Sequence, residues 1–278
     1  MILKLNCKIK IMRKCLVLLC LIDVLLLFSS CNKDDIQPEQ IEEFTIHSDS
    51  TGSDYTVWVV LPKDHHPDLK YETAYLLDAQ TSYLRYDKIA EITEELSLKY
   101  DKQNVIVVGI SAENNRERDF TPTNTSLGGG GSENYSKFIE FELIPKIESD
   151  YPADTTAKSR LIIGHSYGGL LACYLFIKHS HLFYNYLMLS PSIWYDNELL
   201  LQYESDFRTQ NAPVDNLVYV GCGELEEPIV LVSQEWDYRL STFYPNCTHT
   251  FHKVKNRAHL ESAFPSVEKG LEFYFENK

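Results

Sequence analysis

Residues 160–173 read Arg-Leu-Ile-Ile-Gly-His-Ser-Tyr-Gly-Gly-Leu-Leu-Ala-Cys, and their reading decides the fold. Arg160 to Ile163 is a short apolar run of strand type, and Leu170 to His179 is apolar all round, the pattern of a buried helix. Between them stands Gly164-His165-Ser166-Tyr167-Gly168, a G-x-S-x-G. The pentapeptide alone is a weak signal. A strand feeding it and a helix leaving it make an elbow, which strains the serine and exposes its hydroxyl. The helix N-terminus adds partial positive charge where an oxyanion would develop. Ser166 is therefore the candidate nucleophile, and the Tyr167 N–H the natural first oxyanion donor. The plain alternative is a glycine-rich strand–helix turn without catalysis.

Working outward, further strand patterns lie at Phe44 to His47, Tyr55 to Leu61, Ala74 to Asp78, Asn104 to Ile110, Tyr186 to Leu189, Leu217 to Cys222 and Thr248 to Val254. Near-continuous apolar strands are buried on both faces, as in a parallel sheet. Helical patterns fill the gaps, at Asp87 to Tyr100, Glu133 to Glu148 and Ser266 to Glu276 among others. Pro145 should kink or end the second of these, and Pro265 should open the last. The order β-β-β-α-β-α-β-α-β-α-β-α-β-α predicts an α/β fold with about eight mostly parallel strands and helices on both faces. Gly128 to Ser132, Gly-Gly-Gly-Gly-Ser, reads as a flexible, mobile loop ahead of a helix. No Gly-Lys-Ser/Thr follows it, so it is not a phosphate loop.

A serine needs a base, and the base needs an orienting acid. On such a sheet the chain order is Ser, acid, His. Of His249, His252 and His259, the first two sit within a strand pattern; His259 lies beyond a strand's carboxyl end, where catalytic groups collect. After the strand ending at Cys222, Gly223-Glu224-Leu225-Glu226-Glu227 offers the acid. Glu226 is favoured and Glu224 is the fallback. His165 reads as a packing or hydrogen-bonding residue. Ala79 and Gln80 follow the strand whose loop supplies a second oxyanion N–H. Arg116, Arg118 and Trp194 are candidate pocket residues, against the alternative that Arg118 and Asp119 form a structural ion pair. His65 and His66 have no neighbours in sequence to complete a metal site.

The chain has 278 residues, ample for a sizeable core, and its formal net charge is −14. An acidic chain lacks the basic footprint of a nucleic-acid binder. Residues 1–30 carry a basic start, then Cys15 to Phe28, an apolar run too short to span a membrane. Leu27-Phe28-Ser29-Ser30-Cys31 resembles a bacterial lipobox with Cys31 as the lipidated residue. Residues 31–42 are then a polar tether and 43–278 the folded domain. An ordinary cleaved signal or a short anchor helix are the alternatives. The expected location is the bacterial cell envelope, with the membrane reached through the lipid only. Cys173, Cys222 and Cys247 are far apart with no C-x-x-C, so neither a zinc site nor a disulfide framework is indicated, although one pair could bridge.

Together these segments resemble the putative-esterase family of α/β-hydrolases, which holds trilactone siderophore esterases, feruloyl and acetyl esterases, S-formylglutathione hydrolases and mycolyltransferases. The carrying segments are Tyr75-Leu76-Leu77-Asp78, Val107 to Ile110, Arg116 to Pro122, Phe141 to Tyr151, Gly164 to Leu170, Ser190-Pro191-Ser192-Ile193-Trp194, Gly223 to Glu226 and His259. Arg-Asp-Phe-Thr-Pro and Ser-Pro-Ser-Ile-Trp look most like the siderophore-esterase branch. The resemblance implies an α/β-hydrolase fold, a Ser166–His259–Glu226 triad, no cofactor or metal, and a small-molecule or glycan ester as substrate. Ala79 stands where many relatives have glycine. The rival readings are a carbohydrate feruloyl or acetyl esterase, an acyltransferase, and a non-catalytic surface binding lipoprotein.

Overall fold

The computed structural model describes residues 41–112, 115–126, 128–210 and 214–278. The expected leader, Cys31 and nearly all of the tether lie outside the described residues. In chain order the elements are β1 (Ile41–Ser48), β2 (Ser53–Val60), β3 (Thr73–Leu77), α1 (Tyr86–Tyr100), β4 (Ile106–Ile110), α2 (Arg116–Phe120), β5 (Asn124–Thr125), β6 (Gly128–Gly129) and α3 (Ser132–Phe138). A π-helical turn (Ile139–Leu143) leads into α4 (Ile144–Asp150). Then come β7 (Arg160–His165), α5 (Tyr167–Lys178), β8 (Asn185–Leu189), α6 (Tyr195–Gln210), β9 (Leu217–Gly223), α7 (Glu227–Phe243), β10 (Thr248–Val254) and α8 (His259–Asn277).

Eight strands form one sheet in the order β1-β2-β4-β3-β7-β8-β9-β10. The first two pairings are antiparallel and the rest parallel. Alternation along each strand divides the core in two. Tyr75, Leu77, Ile162, Tyr186 and Met188 join the cluster that contains the apolar residues of α5. Ala74, Leu76, Leu161, Ile163 and Leu187 join the cluster that contains those of α1 and α8. Side chains two apart share a face, so buried strands show no polar side in sequence. The helix after β3 and the helix after β7 lie on opposite faces. The crevice between the carboxyl ends of these neighbouring strands is thus the topological switch point, where open α/β sheets place their ligands. This is the α/β-hydrolase fold.

Several expected boundaries shift. β1 starts at Ile41, inside the stretch read as tether. α8 starts at His259 and carries Pro265 within it. Pro265 lacks the N–H that would reach Glu261, but Glu261 is exposed and water can satisfy its carbonyl. Pro145 does not end its helix either: it falls in the first turn of α4, after the wider π turn. The glycine run is the clearest correction. Gly128 and Gly129 pair antiparallel with Thr125 and Asn124, and the Tyr195 hydroxyl bonds the Gly128 carbonyl at 2.8 Å. A Cβ on Gly129 would sit 2.0 Å from Thr121 Oγ1. These glycines permit close approach and positive φ, and the described residues pair as a short two-stranded ladder rather than an open loop.

Candidate active site

Ser166 stands between β7 and α5 with φ 61° and ψ −118°, a region L-residues avoid. Three backbone bonds hold it there: Ser166 N donates to the Leu189 carbonyl at 2.9 Å, and the Ser166 carbonyl accepts from Leu170 N at 2.9 Å and Ser192 N at 3.1 Å. Such strain costs on the order of 1–3 kcal/mol and persists only where the surroundings over-determine it. Gly164 makes the turn possible, since a Cβ there would lie 2.2 Å from the Gly168 carbonyl oxygen. Ser166 Oγ lies 3.4 Å from Ser192 Oγ. Tyr167 opens α5, so its N–H belongs to the first turn, whose donors have no partner within the helix.

The strand end at β9 and the start of α8 bring the expected acid and base together. His259 Nδ1 lies 2.6 Å from Glu226 Oε2. The other Glu226 oxygen accepts from Ser262 Oγ at 2.7 Å, from Ser190 Oγ at 3.0 Å and from the Gly223 N–H. Burial pushes the Glu226 carboxyl up, but the His259, Ser262, Gly223 and Ser190 bonds outweigh it and hold it below its ordinary value. Glu226 stays ionised at neutral pH and orients the imidazole. Glu224 is exposed, and its carboxylate accepts the Asn256 N–H at 3.0 Å. Of the two acids weighed from the sequence, Glu226 is the one on His259.

The oxyanion and pocket residues divide. Ala79 N–H already donates to the Ile110 carbonyl at 3.1 Å, and its side chain is fully buried, so it is not an available donor. Gln80 is exposed, and its side-chain oxygen accepts from Ala112 N at 3.3 Å. Its own N–H has no hydrogen-bond partner among the described residues. Arg116 turns inward: Nε lies 2.9 Å from both oxygens of the fully buried Asp78, and an amino group donates to the His165 carbonyl at 3.1 Å. Its guanidinium lies 5.3 Å from the centre of the Tyr167 ring. It is a strut under the elbow rather than an open anion receptor. Arg118 is paired with Asp119 at 2.7 Å and bonds Ser53 Oγ at 3.0 Å, so the structural ion pair is what forms. Trp194 is 39% exposed, with its ring 6.3 Å from that of Tyr167.

The remaining candidates fall away from the site. His249 bonds Asp237 at 2.9 Å, and His252 is exposed on β10. Cys173, Cys222 and Cys247 are free and buried. The sequence reading missed Asp78 as the anchor of Arg116, and Ser190 and Ser262 as donors to Glu226. Ser262 stands three residues after His259, one helical turn on. That spacing was the available signal, but it needed the helix to start at His259. His165, read as a packing residue, stacks on His259 with ring centres 4.6 Å apart.

A family model described as "Putative esterase" matches residues 48–230. The chain belongs to this esterase family. The match contains Ser166 and Glu226 and stops short of His259. The ferri-bacillibactin esterase BesA of Bacillus subtilis is 30% identical over 195 residues, covering 62% of this chain and 66% of that protein. The apo-salmochelin esterase of Escherichia coli is 29% identical over 163 residues, covering 53% of this chain and 49% of that protein. The chain thus spans from about a third to two thirds of the length of the curated relatives it matches. Among solved structures, the BES protein from Bacillus cereus superposes with a TM-score of 0.76 at 28% identity, over 88% of this chain and 98% of that one. An IroE-like serine hydrolase from Shewanella oneidensis, at 22% identity and TM-score 0.75 over 86% of this chain and 81% of that one, shares the fold.

Proposed function

We propose that this protein is a serine esterase acting through Ser166, His259 and Glu226 on ester bonds of siderophore lactones. The observations that support the reading are the Glu226–His259 bond at 2.6 Å and a serine held at φ 61° on a strand–helix elbow, with His165, the residue before that serine, 4.6 Å from the His259 ring. Relatives named as ferri-bacillibactin and apo-salmochelin esterases support the substrate class. Glu226 accepts a hydrogen bond from His259 Nδ1–H, which leaves Nε2 to receive the Ser166 proton as Oγ forms its bond to the ester carbonyl carbon. The Tyr167 and Gln80 N–H groups face the resulting oxyanion. His259 then protonates the departing alkoxide as its C–O bond breaks, and a water repeats the sequence to release the acid and restore Ser166.

A fluorophosphonate probe tests this. Wild-type protein is expected to be labelled and to turn over p-nitrophenyl acetate, with both signals lost in Ser166→Ala. Folded wild-type protein that takes no label would overturn the hydrolase reading and favour a surface binding protein. Hydrolysis of feruloylated or acetylated sugars without action on catecholate trilactones would instead identify a carbohydrate esterase. Transfer product on adding an acceptor alcohol would identify an acyltransferase.

We propose also that Cys31 carries a lipid that tethers the enzyme to the bacterial envelope, on the strength of Leu27 to Cys31 after a short apolar run. Metabolic palmitate labelling is expected in the wild type and absent in Cys31→Ser; equal labelling of both would sink the idea.

A further inference from the structure

We propose that His165 is a positioning residue for His259: its ring backs the His259 ring, and its Nε2–H holds the His259 carbonyl. This role rests on the esterase reading above. His165 is fully buried at the end of β7, one residue before the elbow serine. Its Nε2 lies 3.0 Å from the His259 carbonyl oxygen. A carbonyl only accepts, so Nε2 carries the proton. Ser262 Oγ also reaches that carbonyl, at 2.9 Å, but it lies 2.7 Å from Glu226 Oε1. One hydroxyl has one proton, and the charged carboxylate is the stronger acceptor. Beside the Ala263 N–H of the helix itself, the side-chain donor left for the second lone pair of the His259 carbonyl is therefore His165.

That bond fixes the backbone of the first residue of α8, where a helix otherwise frays. The ring contact fixes the side chain: the two imidazoles sit 4.6 Å apart, tilted by 36°. His165 also meets the Tyr83 ring edge-on at 5.5 Å, and its carbonyl is held by Arg116. Its Nδ1 is buried with no hydrogen-bond partner. A second proton there would create an unsatisfied buried donor, with the Arg116 charge nearby. The groups facing the ring are His259 on α8, Tyr83 on the β3–α1 loop, Arg116 on α2 and Glu226 before α7. Burial, then the neighbouring His259, push the ring down to about 3, against the pull of Glu226. A ring kept neutral matters, because His259 becomes an imidazolium during each turnover. A second cation at that distance would oppose it, whereas a neutral aromatic face supports it.

The test compares wild type, Ser166→Ala, His165→Ala and His165→Gln, each checked for folding. His165→Ala is expected to lower kcat and the phosphonylation rate roughly 10- to 100-fold, the scale of a misplaced catalytic group, with KM within about threefold. His165→Gln restores an N–H donor and is expected to recover part of the loss. Wild-type kcat in folded His165→Ala overturns the role, as does a loss carried by KM alone. Should His165→Ala not fold, histidine 15N NMR of the wild type decides. A neutral, Nε2-protonated ring from pH 8 to pH 5, absent from the His165→Gln spectrum, supports the role; a ring that protonates in that range overturns it. An inert, unlabelled wild type removes the esterase reading and this role with it, whereas full activity in His165→Ala removes this role alone.

Discussion

Two buried carboxylates stand at the same end of the sheet, each facing a basic partner, and they behave in opposite ways. Glu226 faces His259 at 2.6 Å, and Asp78 faces Arg116 at 2.9 Å. Burial pushes both carboxyls up. At Glu226 four donors on three segments reverse that push, and the carboxyl is held low. At Asp78 only Arg116 opposes a complete burial, and the carboxyl ends above its ordinary value. The partners differ as well. A histidine gives up and takes a proton near neutral pH, whereas a guanidinium does not. Under the proposed function, two ion pairs of similar length are thus the orienting half of a proton relay and a strut. What separates them is the number of fixed donors and the chemistry of the base.

The largest effect that tests this contrast is on rate. Glu226→Gln keeps the shape, but its amide can present a donor to Nδ1 and favour the wrong tautomer. We expect kcat for p-nitrophenyl acetate to fall by about 10²–10⁴-fold with the fold retained, as for other orienting acids of serine hydrolases. Glu224→Gln, in the neighbouring exposed carboxylate, is expected to leave kcat within about twofold and stability within about 0.5 kcal/mol. The reverse pattern in the steady-state rates would move the acid to Glu224 and undo the contrast.

Much of the proton-relay side was legible in the sequence, because its chemistry is tied to the chain order of a recognisable fold. Ser166 is announced by a strand, a turn and a helix in fourteen consecutive residues. His259 and Glu226 follow from strand ends. The strut side was not legible. Arg116 and Asp78 are far apart in sequence, and nothing local says that β3 and α2 bring them together. An arginine near a motif reads as a substrate receptor until its carboxylate is located. The glycine run was misread as an open loop for the same reason: Thr121 and Tyr195 pack so close to Gly129 that no Cβ fits, and Tyr195 is distant in sequence. Local composition suggested flexibility where tertiary contact required closeness. Ser190 and Ser262 belong to this group too, since a serine's role depends on what stands opposite it.

A smaller effect in rate, with a large one in stability, is expected on the strut side. Arg116→Met removes the partner of a fully buried carboxylate and the clamp on the His165 carbonyl. Leaving one member of a buried pair uncompensated costs on the order of 3–5 kcal/mol. The denaturant midpoint should therefore drop well before chemistry fails, and turnover per folded molecule should change far less than in Glu226→Gln. The sign with pH follows from Asp78. Its folded carboxyl already sits above the ordinary value of 3.8, and loss of Arg116 raises it further. The folded state then favours the protonated acid, so the destabilisation is smallest at low pH and grows as pH rises through the folded value. Adding Asp78→Asn to Arg116→Met removes the charge and should recover much of the lost stability at pH 8. Urea titrations of the single and double variants at pH 5 and pH 8 measure this directly. Should Arg116→Met instead unfold at the wild-type midpoint while KM for an anionic ester rises strongly, Arg116 would be a substrate receptor after all, and the two ion pairs would no longer divide into relay and strut.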